Sequence, residues 1–195
     1  IYYSTIKCQI REVSLKNKPP EFISASPKAT VPVLLKEDLS VIEESLDIVK
    51  WILGQSDPGG LLIPLNDKNE DVDYFISLFD NKFKFHLDRY KYSSRYDVTQ
   101  RQKHRDSACE ILKLIDDKIT KSGFIYGNKV SVYELCILPL VRQFMIADPL
   151  WFEEHFKLEK VKKSLQGFID SHAFKVTMKK YDEWINDKSK IQYFP

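Results

Sequence analysis

Short strand-like stretches alternate with helical ones in the first 54 residues. Ile6 to Leu15 alternates apolar and polar positions, and Val31 to Leu35 is a continuous apolar run, so both predict strands. Pro19-Pro20 suits the first turn of a short helix between them. A further strand is predicted over Leu39 to Ile42, and helical spacing predicts a helix from Ser45 to Gly54. The predicted order is strand, short helix, strand, strand, helix.

The pattern is helical beyond a turn-rich linker at residues 56–69, which contains one small apolar plug, Leu61 to Ile63. Apolar residues then recur every third or fourth position and predict one long helix over residues 72–90. The same spacing predicts three further helices, one starting at Asp97 with a buried stripe from Ala108 to Ile119, and two over residues 154–168 and 171–186.

Two sequence patterns predict capped helix starts. Asp97 and Gln100 have the spacing of a capping box, and Ser131 and Glu134 have it again before an entirely apolar stretch. A helix that is apolar on every side has to be surrounded by protein, so the second one is expected at the centre of a helical domain. Pro139 lies inside it and is expected to kink it.

Composition excludes several classes of protein. The chain has 195 residues, of which 43% are hydrophobic and 30% charged, as in an ordinary soluble globular protein. Its formal net charge of +2 lacks the basic excess of a nucleic-acid binder. No apolar run reaches the roughly 18 residues of a membrane helix, and no secretory signal is visible. The three cysteines, Cys8, Cys109 and Cys136, have no metal-binding or CxxC spacing and predict reduced, cytoplasmic thiols.

Two places in the first domain are candidates for binding chemistry. A cis bond at Val31-Pro32 would present the backbone of Val31 to a peptide-like ligand, whereas a trans proline would simply mark a strand edge. Ser45 opens a helix, where backbone N–H groups attract a carboxylate, and Glu44 beside it can hold an ammonium group. The alternative is that Ser45 only caps the helix and that Glu44 compensates its dipole.

A basic loop, Leu15 to Pro19, supplies a third candidate. Lys18 could meet a second ligand carboxylate, or could be an ordinary solvated lysine. The four histidines show neither zinc-protease spacing nor a cysteine partner, so no metal site is predicted.

These features together resemble the cytosolic glutathione transferases over essentially the whole chain. Members of that family have a proline like Pro32 before the third strand, an acidic residue followed by serine like Glu44-Ser45, and a capping box like that at Ser131. The loop with Lys18 looks closest to omega-class and bacterial members. The resemblance implies an α/β thioredoxin-like domain and an all-α helical domain. We expect them at residues 1–55 and 70–195, joined by the linker at 56–69.

The resemblance also implies a ligand and its site. Val31 and Pro32 would hold the cysteinyl part of glutathione through the backbone of Val31, while Ser45 and Glu44 would hold its γ-glutamyl end and Lys18 would approach it. Glutathione would be the co-substrate of a transferase that acts on an electrophile or a disulfide. A cytoplasmic homodimer is implied, and neither nucleic acid nor membrane is an expected partner.

The sequence departs from the family at its start, where Ile1 falls near the end of the family's first helix. The strand and helix that carry the family's catalytic Cys, Ser or Tyr are therefore expected upstream of Ile1, and the native protein is expected to be longer. None of the three cysteines falls at the catalytic position. The alternative function is a non-catalytic regulatory or interaction protein on the same scaffold, of the stringent-starvation type.

Overall fold

The computed structural model describes residues 1–67, 71–186 and 191–195. It divides into two compact units, one formed by residues 1–60 and 172–195 and the other by residues 61–171. The sequence analysis placed the C-terminal 24 residues in the helical domain. They group with the first unit instead because a C-terminal strand pairs with a strand near the start of the chain.

Among the described residues, the first unit contains four short strands and three α-helices. The strands are β1 (Cys8–Ile10), β2 (Leu34–Leu35), β3 (Val41–Ile42) and β4 (Gln192–Phe194). The helices are α1 (Pro20–Ala25), α2 (Ser45–Gln55) and α10 (His172–Thr177). The predicted strands are present but shorter than expected, and the predictions of α1 and α2 are confirmed.

The strands form two separate antiparallel pairs. In one pair Cys8 lies opposite Phe194 across β1 and β4, and in the other Leu34 lies opposite Ile42 across β2 and β3. The second pair begins only after Pro32, which has no N–H to donate to a strand partner. Among residues 1–67, 71–186 and 191–195, no strand joins the two pairs.

The second unit contains the remaining helices. They are α3 (Ile63–Asn66), α4 (Val72–Leu78), α5 (Lys84–Lys91), α6 (Arg101–Lys118), α7 (Val132–Ala147), α8 (Pro149–His155) and α9 (Glu159–Asp170). A π-helical turn over Phe79–Phe83 connects α4 to α5, so the predicted long helix exists with one irregular turn inside it. Part of the predicted linker forms α3, and its residues 68 and 69 lie outside the described residues.

Aromatic side chains fill the centre of the second unit. Phe144 of α7 is 1% exposed, and its ring lies 5.2 Å from that of Tyr90 and 6.1 Å from that of Phe83. Rings from α8 and the turn after it complete the cluster, with Phe152 stacked on Phe156 at 4.5 Å. The expectation that α7 lies at the centre is therefore confirmed.

One capping prediction is confirmed and the other is wrong in part. Ser131 and Glu134 form a complete capping box at the start of α7. Asp97 accepts a hydrogen bond from the N–H of Thr99, but it caps a 3-10 turn over Val98–Gln100 rather than α6. Gln100 is the N-cap of α6 and makes no side-chain cap bond, so the second half of that box does not form.

The last two predicted helices have different bounds in the structure. Extended backbone at Phe156 separates α8 from α9, so the predicted helix over residues 154–168 is two helices. The helix predicted over residues 171–186 ends as α10 at Thr177, and Trp184 beyond it donates its backbone N–H to the carbonyl of Glu12. Within the described ranges, no single helix is long and apolar enough to cross a membrane; α7 and α8 meet that test only as a pair, bent by 100°.

Candidate functional site

The backbone of Val31 is the first element of the candidate site. The Val31–Pro32 peptide bond is cis, and Val31 is 48% exposed just before β2. In the described part of the chain, neither its N–H nor its carbonyl has a hydrogen-bond partner. These two groups are therefore free to pair with the backbone of an extended ligand.

The N-terminus of α2 is the second element. Glu44 is the N-cap and Ser45 is the first helical residue, so the alternative that Ser45 caps the helix is wrong. Ser45 is exposed, and its hydroxyl has no partner among the residues that the structure describes. The first N–H groups of a helix lack intrahelical partners and carry the positive end of the dipole, so this end of α2 can accept a carboxylate.

A short loop, Ser26 to Ala29, contacts the turn before α2. The hydroxyl of Ser26 donates to Glu43 Oε1 at 2.5 Å, and Lys28 Nζ donates to Glu44 Oε1 at 3.0 Å. Lys28 Nζ also lies 3.7 Å from Glu43 Oε2. This loop leads directly into Val31, so these bonds connect the segment before Val31 to the turn that opens α2.

Charge is concentrated at this contact. The hydrogen bond and the charge of Glu44, followed by the charge of Glu43, raise the pKa of Lys28 above its usual value. Asp47 adds another carboxylate in the first turn of α2. Carboxylates beside free helical N–H groups can hold an ammonium and a carboxylate at neighbouring points, which is the pattern of an α-amino acid end.

Lys18 is a predicted site residue without a direct bond to the other predicted site residues. Its side chain makes no hydrogen bond or ion pair with Val31, Glu44 or Ser45. The predicted role of Lys18 therefore depends on a ligand that reaches from the site to its loop, and it stays a prediction.

Comparison with known proteins connects this geometry to a family. Residues 1–59 match the model of the glutathione S-transferase N-terminal domain. A glutathione S-transferase from Rhodospirillum rubrum F11 superposes with a TM-score of 0.66 at 18% identity, over 88% of this chain and 79% of that one. The glutathione transferase Omega 3C from Trametes versicolor also gives 0.66, at 15% identity, over 90% and 74%.

The chain has the glutathione transferase fold. The sequence-based resemblance to that superfamily and the predicted fold class are confirmed. A glutathione transferase from Pseudomonas putida with one glutathione disulfide bound per subunit matches with a TM-score of 0.60 at 18% identity, over 80% of this chain and 72% of that one. The search of curated proteins gives no match.

Neither Cys8 nor Cys109 is an activated nucleophile in this glutathione transferase fold. Burial raises the pKa of Cys8 on β1 above its usual value and raises that of Cys109 on α6 to about 11. A thiol with a raised pKa is protonated near neutral pH and is a poor nucleophile. Neither Cys8 nor Cys109 forms a disulfide, and the same holds for the part-buried Cys136 on α7.

Sequence reasoning missed Lys28. It stands alone between Pro27 and Ala29 in a stretch of turn formers, and a solitary surface lysine carries no signal of its own. The only available hint was its position three residues before Val31, in the segment that the family resemblance had already marked. The structure assigns it a role because it brings Lys28 to the two glutamates before α2.

Proposed function

We propose that this protein binds glutathione and acts as a glutathione transferase. The observation that carries the proposal is an unpartnered backbone at Val31 and an exposed N-terminus of α2 at Ser45, with the segment before Val31 bonded to Glu43 and Glu44, inside a domain that matches the glutathione S-transferase N-terminal model. Structural neighbours with bound glutathione or its disulfide support the same ligand.

Each part of the tripeptide then has a partner. The backbone N–H and carbonyl of Val31 pair with the cysteinyl residue in the manner of an added strand. The N–H and hydroxyl of Ser45 bind the γ-glutamyl carboxylate, and the carboxylate of Glu44 binds the γ-glutamyl ammonium. Lys18 lies on a loop that a bound ligand's second carboxylate would approach.

The chemistry we propose is that of the ligand's thiol. A free thiol has a pKa of about 8.5, so a donor that stabilises the thiolate makes it a nucleophile at neutral pH. The thiolate attacks an electrophilic carbon and releases its leaving group, or attacks a disulfide and releases the other thiol. We assign the stabilising donor to none of Cys8, Cys109 and Cys136. The family resemblance also leads us to expect a cytoplasmic homodimer, without a nucleic-acid or membrane partner.

A non-catalytic binding or regulatory protein on the same scaffold is the second candidate. What favours it is that the groups of the candidate site, the backbone of Val31 and the N-terminus of α2, can bind a ligand without taking part in catalysis. Such a protein would show no turnover with an electrophile, with or without glutathione binding. Glutathione binding together with turnover of an electrophile or a mixed disulfide would exclude it.

Calorimetric titration with glutathione tests the binding site. Ser45→Ala is expected to weaken binding by about 1 to 3 kcal/mol, since it removes a hydrogen bond to a charged group. Ser24→Ala, which removes an exposed hydroxyl from α1, is the matched control and is expected to bind like the parent. Equal affinity in the parent and in Ser45→Ala would remove Ser45 from the site, and no binding by the parent would refute the proposed function.

A further inference from the structure

The ammonium group of Lys28 lies where two site carboxylates come together. Lys28 Nζ is 3.0 Å from Glu44 Oε1 and 3.7 Å from Glu43 Oε2. A γ-glutamyl α-ammonium is the same chemical group as a lysine ammonium, and it would be attracted to the same point. We propose that Lys28 is an internal competitor for the ligand's ammonium, and that glutathione must displace it to bind. This inference rests on the proposed function.

One of the two carboxylates is fixed in place before any ligand arrives. Glu43 is a quarter exposed, and the fully buried Ser26 donates its hydroxyl to Glu43 Oε1. Glu44 is 68% exposed, and it is also the N-cap residue of α2. The negative charge of Glu43 and Glu44 is therefore in place whether Lys28 or the ligand's ammonium pairs with it.

Lys28 itself is free to leave. Its side chain is 57% exposed, while the backbone beside it is held in a tight turn in which Ala29 donates its N–H to the carbonyl of Ser26 at 2.8 Å. Ala29 has a φ of 49°, in the left-handed region, which keeps this turn distinct from a helical one. The side chain can therefore swing into solvent while the loop stays in place.

The exchange keeps an ammonium group on the two glutamates. Lys28 supplies it before binding and the ligand supplies it afterwards, while the ligand's own α-carboxylate goes to the N-terminus of α2. A ligand without an amino group cannot make this exchange and leaves Lys28 on the glutamates. Lys28 therefore lowers affinity only for ligands that carry the ammonium, so it contributes to the choice of ligand at the γ-glutamyl end.

The expected change in Kd follows from the solvent exposure of the ion pair between Lys28 and Glu44. Exposed ion pairs of this kind contribute little, which corresponds to a change in Kd of up to about fivefold. Lys28→Ala is therefore expected to tighten glutathione binding by about two- to fivefold at low ionic strength. This gain in affinity is expected to be smaller at high ionic strength, because salt weakens the ion pair of Lys28 with the glutamates in the parent protein.

The experiment compares two ligands and three proteins by calorimetry. The ligands are glutathione and its analogue lacking the α-amino group, and the proteins are the parent chain, Lys28→Ala and Lys7→Ala. Lys7→Ala removes the same charge from an exposed position of the first unit and serves as the control. We expect tighter glutathione binding only in Lys28→Ala, and no gain in any variant with the deaminated analogue.

Each outcome decides between the two claims. If the parent binds glutathione and Lys28→Ala binds it equally or more weakly, the competition is refuted while the proposed function stands. An equal gain with the deaminated analogue, or in Lys7→Ala, also refutes the competition, because the effect would then be one of general charge. If no protein binds glutathione, the proposed function fails and this inference fails with it.

Discussion

Replacing Glu134 at the start of α7 tests which hydrogen bonds stabilise the second unit. Its carboxylate is 2% exposed and accepts three hydrogen bonds. These come from the N–H of Ile125 at 2.6 Å and from both the N–H and the hydroxyl of Ser131 at 2.8 Å. The side chain thus joins the loop before α7 to the first turn of that helix.

The cost of removing it can be worked out from these contacts. Glu134→Ala leaves two buried backbone N–H groups without an acceptor, and each such group costs about 1 to 3 kcal/mol. Water that enters the space recovers part of this, so we expect a loss of about 2 to 4 kcal/mol in the free energy of unfolding. Burial raises the pKa of Glu134, although the N–H and hydroxyl donors oppose the shift.

A raised carboxyl pKa means that the folded state holds the proton more tightly than the unfolded state. That stabilisation is complete below the ordinary value of 4.5 and is lost as the pH rises through the higher folded value. Glutamine keeps one acceptor oxygen and never ionises, so we expect Glu134→Gln to lose less stability at neutral pH than Glu134→Ala.

Urea unfolding followed by circular dichroism measures these differences. Glu110→Ala on α6 is the matched control, because Glu110 is 68% exposed and its ion pair with Lys113 is a solvent-exposed one that contributes little to stability. The unfolding slope should be unchanged in all variants. A loss in Glu134→Ala no larger than that in Glu110→Ala would show that water replaces the carboxylate and that our estimate is wrong.

Two further predictions concern α5 and α6. The buried hydroxyl of Tyr90 has no partner in the described part of the chain, and burial raises its pKa to about 12. Tyr90→Phe should therefore keep or slightly raise stability in urea unfolding, whereas Tyr133→Phe, which loses a bond to Asp71, should cost about 1 kcal/mol; a comparable loss in both would contradict this. The Nδ1 atoms of His86 and His104 lie 2.9 Å apart, and burial followed by neighbouring positive charge lowers both pKa values. The unfolded state then binds protons first, so stability should fall as the pH drops below about 6.5. His104→Gln should reduce that slope in urea unfolding, and an unchanged slope would contradict this.

Local signals predicted the long helix and the central helix of the second unit. The capping box at Ser131 depends on residues three apart, and the structure forms it as predicted. The long stripe of apolar residues likewise predicted the helix from Val72 to Lys91, because burial of one face repeats every turn. The π-helical turn over Phe79–Phe83 was not predicted.

Long-range pairing explains most of the errors in the first unit. The residues of β4 lie more than 180 positions from those of β1, and no local pattern shows that they pair. The helix predicted over residues 171–186 fails for the same reason, because the backbone of Trp184 bonds to Glu12 instead of continuing a helical ladder. A periodic pattern of apolar residues that is typical of an amphipathic helix also fits a non-helical segment that packs along another part of the chain.

The candidate site shows the same division between local and long-range information. Ser45 and Glu44 were predicted because a helix start has its own sequence pattern and its own electrostatics, which need no knowledge of the rest of the fold. Lys28 was not, because its role depends on a contact with carboxylates 15 and 16 residues away, which only the folded hairpin brings within 4 Å. In the sequence, a lysine that occupies a binding site in the absence of ligand looks the same as a lysine exposed to solvent. Such internal competitors can therefore be found only by asking what already occupies the position that a ligand's charge would take.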